Sequence, residues 1–297
     1  MARKYPIRKY PIRTIVDIIG VAPKAAYSTR LLRSAYIGSA IRVRRSSDNV
    51  EADIGFDNAG NMNQAALLSH CGAGSGYVVT WYDQSGSGAD FNQSTAAQQP
   101  RIVNAGVVDV QNNKPCLVFD GSSSGLLGNS TALALTNNIG AATFFNVLQS
   151  VNTSATQYPF IFALNSSSSS SRLGMQKTTG NIYQLVARAI NGDSGVFLGS
   201  VADNGNITVM SSTLKYTSTK LFSIYRNGTA NGTSATGTTA GNVENLNSSA
   251  AYIGQRGSGQ YLNGSMVELI LYTSLLTDAN RQIIERNQGA YYGVTVA

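Results

Sequence analysis

Residues 77–90 read YVVTWYDQSGSGAD, and this stretch decides the fold class of the 297-residue chain. β-Branched and aromatic residues fill its first half, as is typical of a strand, and they include Trp81, the only tryptophan. The Ser-Gly-Ser-Gly run that follows supplies the positive-φ backbone of a tight turn. An apolar strand of this kind needs a second sheet to cover it. The pattern therefore predicts a β-sandwich with Trp81 buried between its sheets.

Short strand-like segments separated by turn residues continue to the C-terminal region. They cover residues 77–82, 101–103, 106–110, 116–119, 141–149, 158–164, 181–188, 206–213, 220–226, 250–254 and 265–272. Few helices interrupt them, and we expect short ones only within residues 26–36 and 63–71 and after a Thr277 cap. A Thr-, Asn- and Gly-rich stretch at residues 228–241 is predicted to be a loop. The pattern is typical of an all-β two-sheet sandwich, or jelly roll.

The composition narrows the class of protein. Only 12% of the residues are charged, about half the usual share, as in secreted glycan binders and virion surface proteins. No apolar run is long enough for a transmembrane helix, so no membrane association is expected. Residues 15–21 are too short and too polar for a signal peptide. Cys71 and Cys116 leave two alternatives open, one disulfide or two buried thiols.

Positive charge is concentrated at the N-terminus. Residues 1–45 contain eleven Lys or Arg and one acid, whereas the remainder contains eleven basic and fourteen acidic residues. The net charge of +7 is therefore a property of the N-terminal segment, and nucleic-acid binding by the body is not indicated.

Residues 3–13 read RKYPIRKYPIR, a five-residue repeat in which proline opposes a helix. The segment is interpreted either as a disordered basic tail or as an arm that orders on a partner protein, where Tyr and Ile bury apolar area and Arg binds acids. Binding of nucleic acid is the third, least favoured interpretation. We predict a basic N-terminal arm at residues 1–24 and a lectin-like sandwich at residues 25–297. The predicted anchoring residues are Arg3, Lys4, Tyr5, Ile7, Arg8, Lys9, Tyr10, Ile12 and Arg13.

Residues 81–90, WYDQSGSGAD, resemble the Tyr-Asp-Gln-Ser-Gly-x-Gly-x-Asp signature of concanavalin A-like, laminin G-like jelly rolls, a group that includes the catalytic domain of arabinofuranosidase B. Residues 26–48 are similar to the start of that domain, and residues 115–121 and 251–272 resemble laminin G-like strands. The resemblance implies a concanavalin A-like sandwich from about residue 25 to residue 293. The cysteine-rich, acid-bearing central segment of the arabinofuranosidase has no counterpart between residues 120 and 250, so hydrolysis is not expected.

Four acids in the resembling motifs are candidates for catalytic groups, because glycoside hydrolysis needs two carboxylates beside a cleft. Asp83, Asp90 and Asp120 occupy turn positions, where carboxylates commonly accept backbone N–H groups. Glu268 is expected on an outer or concave face because it alternates with Val267 and Leu269. We predict structural roles for these acids and no catalytic residue.

Asp83, Ser85 and Asp90 surround the Gly-rich turn, and two interpretations stay open, a plain turn and a calcium site. The nature of any metal is unknown from the sequence. No other cofactor is predicted, because the single histidine, His70, has no Cys/His cluster around it.

Glycan binding is the other chemistry that the sequence suggests. Aromatic side chains serve as platforms for sugars, although core packing is the safer expectation for them. The candidate platforms are Tyr158, Tyr183, Tyr216, Tyr225 and Tyr261.

Together these features favour a non-enzymatic structural protein of a bacteriophage virion, as a capsid decoration or a tail- or fibre-associated protein. Its expected partners are other virion proteins bound through the arm, a cell-surface glycan and further copies of itself, and its expected location is the virion surface. The alternatives are an extracellular, secreted glycan-binding module and an arabinofuranosidase-like glycoside hydrolase.

Overall fold

The computed structural model describes residues 14–137, 139–164, 172–188, 196–199, 202–215, 220–236, 250–257 and 259–297. The helices are α1 Ile15–Ile19, α2 Gln64–Cys71, α3 Ser130–Ala134 and α4 Asp278–Tyr292, with a 3₁₀ turn at Ala96–Gln98. The strands are β1 Ala25–Ser28, β2 Ile41–Arg45, β3 Glu51–Ile54, β4 Gly76–Trp81, β5 Phe91–Asn92, β6 Arg101–Asn104, β7 Val107–Val108, β8 Val110–Gln111, β9 Lys114–Pro115, β10 Leu117–Asp120, β11 Leu126–Gly128, β12 Ala141–Ser150, β13 Gln157–Leu164, β14 Arg172–Lys177, β15 Tyr183–Arg188, β16 Val196–Leu198, β17 Thr208–Lys215, β18 Lys220–Arg226, β19 Thr229–Thr236, β20 Ala250–Ile253 and β21 Asn263–Tyr272.

Two antiparallel sheets form the body. The first runs β19-β18-β17-β12-β21, and the two halves of β21 continue onto β1 and β10. The second runs β3-β2-β4-β5-β11-β20-β13-β14-β15-β16. Strand β6 pairs with both β4 and β10 and so links the sheets. The predicted all-β two-sheet sandwich with a few short helices is confirmed.

The main core lies between the two sheets. Trp81 of β4 is fully buried there, with its ring centroid 5.9 Å from that of Tyr27, which confirms the predicted burial. Phe144 of β12 faces the other sheet, where its ring centroid lies 5.5 Å from that of Phe160 and 5.8 Å from that of Phe162. Aromatic pairs at these spacings add to the free energy gained by burying apolar area.

The helices α1 and α4 cover the outer face of the first sheet. Phe145 and Ile270 point away from the main core and form a second apolar cluster with Ile284 of α4 and Ile15 of α1. Residues 14–24 of the segment predicted as an arm therefore include a helix that packs on the sandwich. Residues 1–13, which contain every predicted anchoring residue, lie outside the described residues.

The prediction of a helix within residues 26–36 is wrong. The segment begins as β1, which pairs with β21. The side chain of Gln84 then holds the chain that follows β1. Its Nε2 donates to the carbonyl oxygens of Ser28 at 3.1 Å and Arg30 at 3.0 Å, while its Oε1 accepts from Leu32 N at 2.8 Å. Tertiary pairing thus overrides the local signal.

Two other predicted helices are confirmed. Helix α2 is capped by Asn63, whose side chain accepts from Ala66 N, and α4 is capped by Thr277, whose side chain accepts from Asn280 N. Within the described part of the chain, no helix is long and apolar enough to cross a membrane.

The loop predicted at residues 228–241 is wrong in its first part. Asn227 and Gly228 both have positive φ, 49° and 81°, and form a two-residue turn between β18 and β19. An Asn-Gly pair is the favoured sequence for such a hairpin, since both residues tolerate the left-handed backbone. Strand β19 therefore follows at once and extends the first sheet.

Cys71 and Cys116 are buried, free thiols. Burial raises the pKa of Cys116 to about 12 and also raises the pKa of Cys71. Because the thiolate is the reactive form, both side chains are poor nucleophiles at neutral pH and behave as small apolar groups of the core.

Candidate functional site

The Gly-rich turn after β4 is centred on the Asp83 carboxylate. Its Oδ1 accepts from Ala26 N at 2.8 Å and Ser85 N at 2.9 Å, and its Oδ2 accepts from the hydroxyls of Ser85 at 2.6 Å and Ser87 at 2.8 Å. Asp83 N in turn donates to Asp90 Oδ1 at 2.8 Å, while burial raises the pKa of Asp90. N–H and O–H donors occupy the positions around Asp83 that a cation would take.

Asp120 also stabilises a turn. Its Oδ1 accepts from the backbone N–H groups of Ser122, Ser123 and Ser124 at 2.9, 2.8 and 2.9 Å. Burial alone would raise the pKa of Asp120, but the hydrogen bonds from Ser123 and its neighbours outweigh it and hold the pKa well below its usual range. An ionised carboxylate fully engaged by its own turn is poorly suited to proton transfer.

Glu268 lies on the outer face of β21, opposite Leu269, as expected. The expected alternation with Val267 is wrong, because β21 is irregular at this point and Val267 packs with Tyr292 on the same outer face. The side chain is fully buried because α4 covers this face of the first sheet. Its Oε2 accepts from Arg30 Nε at 2.8 Å and Tyr292 OH at 3.0 Å, and its Oε1 accepts from Arg30 Nη2 at 3.1 Å and Gln288 Nε2 at 3.1 Å. Glu268 of β21 therefore holds the chain after β1 through a buried ion pair with Arg30, and it holds α4 through hydrogen bonds from Gln288 and Tyr292.

The other described carboxylates are also partnered within the chain. Each accepts a hydrogen bond or forms an ion pair, and these residues are Asp17, Asp48, Glu51, Asp53, Asp57, Asp109, Asp203, Asp278 and Glu285. Asp193 and Glu244 lie outside the described residues. In the part of the chain that the structure describes, no group of three or more His, Cys, Asp or Glu residues is arranged to hold a metal ion.

A polar cavity of about 390 Å³ opens at the edge of the first sheet where β12 and β18 end and β17 begins. Its other walls come from the β8–β9 turn and from the residues after α4. Its described lining residues are Gln111, Asn112, Gln149, Asn204, Asn206, Ile207, Arg226, Asn227, Gly293, Val294 and Thr295. Most of these lining residues have amide side chains. Arg226 is the charged residue among them, and none of the described lining residues is a carboxylic acid.

Two tight turns place amides at the cavity. Asn112 and Asn113 have φ of 46° and 63° in the β8–β9 turn, and Asn227 has φ of 49° in the β18–β19 turn. Asparagine tolerates this left-handed backbone better than most residues. The Asn227-Gly228 pair is the local signal that sequence reasoning missed, while the meeting of these turns depends on tertiary structure.

Several polar atoms at the cavity are left for a ligand. Asn112 Nδ2 donates to Tyr292 O at 2.9 Å, and Asn227 Oδ1 accepts from Val209 N at 2.9 Å. The opposite ends of these two amides, Asn112 Oδ1 and Asn227 Nδ2, make no hydrogen bond to the described residues, and neither does the side chain of Asn206. The cavity thus offers both donors and acceptors.

The predicted tyrosine platforms do not line this cavity. Tyr158 and Tyr183 are buried, with 2% and 0% of their surface exposed, so they pack in the core, which was the safer expectation, and are not exposed platforms. Tyr225 is stacked under Arg281, whose Cζ lies 3.5 Å from the ring centroid. Tyr261 is half-buried, and Tyr216 lies outside the described residues.

Comparisons with known proteins agree with this architecture. The family model described as "Alpha-L-arabinofuranosidase B, catalytic" matches residues 17–120. The structure resembles an arabinofuranosidase complexed with arabinofuranosyl-alpha-1,2-xylobiose, with a TM-score of 0.60, 15% identity and coverage of 92% of this chain and 63% of the other. A mutant GH54 α-L-arabinofuranosidase soaked with 4-nitrophenyl α-L-arabinofuranoside gives a TM-score of 0.58, 16% identity and the same coverages of 92% and 63%. No curated protein matches the sequence.

These similarities extend over most of the sandwich, although this chain spans 63% of the length of each of the two structures. At such low identity, the likeness concerns the fold and not the activity. The chain therefore adopts an arabinofuranosidase-like β-sandwich, a glycoside hydrolase-like fold.

Proposed function

We propose that the protein binds carbohydrate in the amide-lined cavity without hydrolysing it. The observation that carries the proposal is the composition of the cavity lining. Most of its described residues are Asn or Gln, one is Arg, and none of them is Asp or Glu. An amide presents a donor and an acceptor side by side, as a sugar hydroxyl does, so the two groups pair well. Ile207 and Val294 add apolar surface for the C–H face of a sugar ring.

The volume also suits a sugar. A cavity of about 390 Å³ lies within the range of ~300–1,000 Å³ that is usual for small-ligand sites. It could hold one or two sugar rings, so an oligosaccharide would enter by one end or by a side branch. Because the cavity opens at the edge of the first sheet, the rest of a bound polysaccharide would stay in the solvent.

Hydrolysis of arabinofuranosides is the second candidate function, favoured by the family-model match over residues 17–120 and by the similar arabinofuranosidase structures. A retaining or inverting mechanism requires two carboxylates with room for substrate between them. Each of the described acids already accepts a hydrogen bond or forms an ion pair within the chain. Asp193 and Glu244, outside the described residues, are therefore the first substitutions to make if turnover is observed.

We expect binding without turnover. Titration calorimetry with arabinan, arabinoxylan, xylan and galactan oligosaccharides and trigalacturonate should find a ligand, and Asn206→Ala should weaken its binding by about 2- to 10-fold, the value of one net hydrogen bond. Asn58→Ala, at an exposed turn outside the cavity lining, is the matched control. Hydrolysis of 4-nitrophenyl α-L-arabinofuranoside, abolished by Asp193→Asn or Glu244→Gln, would instead establish the second candidate.

Attachment of residues 3–13 to a partner protein of a virus particle, at the particle surface, stays a prediction, as does homo-oligomerisation. The similar structures named above are arabinofuranosidases. We expect deletion of residues 1–13 to leave the melting temperature nearly unchanged, because Pro6 and Pro11 favour an extended segment without a core of its own, and to abolish incorporation into particles. Wild-type occupancy of the truncated protein in purified particles would rule out the anchoring role.

A further inference from the structure

A buried charge cluster stands behind one wall of the cavity. Asp203 Oδ2 lies 3.0 Å from Lys177 Nζ, and Asp203 Oδ1 lies 3.6 Å from Arg226 Nη2. One carboxylate therefore faces two cations, and none of the other described acids forms an ion pair with either of them. With both basic groups protonated, the cluster carries a net charge of +1.

The two cations differ in their access to the cavity. The side chain of Lys177 is fully buried, and its Nζ also donates to Ser150 Oγ at 2.8 Å and Asn152 Oδ1 at 2.8 Å. Arg226 lines the cavity and keeps 12% of its side chain exposed. The positive charge that Asp203 does not balance is therefore presented to a ligand through Arg226.

Arg226 is held in place by three hydrogen bonds and still has donors to offer. Its Nε donates to Thr208 Oγ1 at 3.2 Å, its Nη1 to Ala202 O at 2.8 Å and its Nη2 to Asn204 Oδ1 at 2.7 Å. A guanidinium has five N–H groups, so one N–H on Nη1 has no partner among the described residues, and the second N–H of Nη2 has only the 3.6 Å ion pair with Asp203 Oδ1. A fixed planar fork of this kind matches the two oxygens of a carboxylate.

We propose that the sugar bound in this cavity carries a carboxylate, as a uronic acid residue does, and that Arg226 pairs with that carboxylate. This inference rests on the proposed carbohydrate binding and adds the charge class of the ligand. The amides contributed by Asn112, Asn206 and Asn227 would contact the hydroxyls of the same ring. An acidic group on the described lining would repel such a ligand, and none is present there.

The test compares trigalacturonate and glucuronoxylotriose with their methyl esters, which have nearly the same shape and no charge. Titration calorimetry of the whole chain should show that at least one acid binds about tenfold or more tightly than its ester, the value of a charge-assisted hydrogen bond. Raising the salt concentration from 50 to 500 mM should reduce the ratio of the ester's Kd to the acid's Kd, because salt screens the attraction between Arg226 and the carboxylate.

Variants separate the contribution of Arg226 from that of the cavity. Arg226→Gln should remove the preference for the acid, Arg226→Lys should retain part of it, and Arg256→Gln, a matched change away from the cavity, should leave it intact. If Arg226→Gln fails to fold, the acid-to-ester ratio and its salt dependence in the wild-type chain decide the question. Equal binding of acid and ester, or binding of neutral oligosaccharides alone, overturns the inference and leaves the proposed function standing. Binding of no glycan at all overturns both.

Discussion

Trp81→Ala is expected to lower the free energy of unfolding by about 3–5 kcal/mol. The indole is completely buried between the sheets, with Tyr27 and Phe91 in the surrounding core. Removing it leaves a cavity that closely packed neighbours cannot fill, so both the transfer free energy and the contacts are lost. Chemical denaturation, monitored by circular dichroism because the fluorophore is removed, measures the change.

Val79→Ala is the matched control for Trp81→Ala. Val79 lies on the same strand but is only half-buried, so its truncation should cost much less than that of Trp81. Wild-type stability of Trp81→Ala would contradict the placement of the indole in the core.

Glu268→Gln is expected to destabilise the protein by about 3–5 kcal/mol, because it leaves the Arg30 guanidinium buried without its counter-charge. The loss should exceed that of Glu51→Gln, which breaks an ion pair whose two side chains, Glu51 and Arg42, are 36% and 39% exposed. Exposed pairs contribute about 0–1 kcal/mol. Thermal and urea denaturation of the two variants, side by side, gives the comparison.

Replacing both partners tests the reason for this loss. The double variant Arg30→Met, Glu268→Leu removes both buried charges and should recover much of the stability lost in Glu268→Gln. A Glu268→Gln protein that is as stable as wild type but no longer binds glycan would show instead that Glu268 serves a ligand.

Sequence reasoning succeeded where the signal was local and repeated. The strand and turn at residues 77–90 lie where predicted, and Gly86 and Gly88 have the expected positive φ of 91° and 73°. The cap of α4 also follows from a single residue, Thr277, whose side chain accepts from Asn280 N in the first turn of the helix.

Prediction failed where a distant partner decides the conformation or the burial. Residues 25–28 form a strand because β21 pairs with them. Alternation predicted the outer face of β21 for Glu268, but it could not show that α4 covers this face and buries the side chain.

The cavity could not be predicted in the same way. Its amides come from the β8–β9 turn, the end of β12, the segment before β17 and the β18–β19 turn. Asparagine and glutamine in these places have no common spacing, and each is an ordinary turn or strand-end residue by itself. Only the packing of the first sheet brings them to one edge.

The cavity walls run from Gln111 to Thr295, and Ala297 N donates to Asn227 O at 3.0 Å beside them. A ligand in this cavity therefore bridges segments that meet only in the folded sandwich, and it cannot bind the unfolded chain. At a hundredfold excess over its Kd, such a ligand raises the free energy of unfolding by about 2.7 kcal/mol. Glycans can thus be screened by the rise in melting temperature that they cause, whether or not the protein turns any of them over.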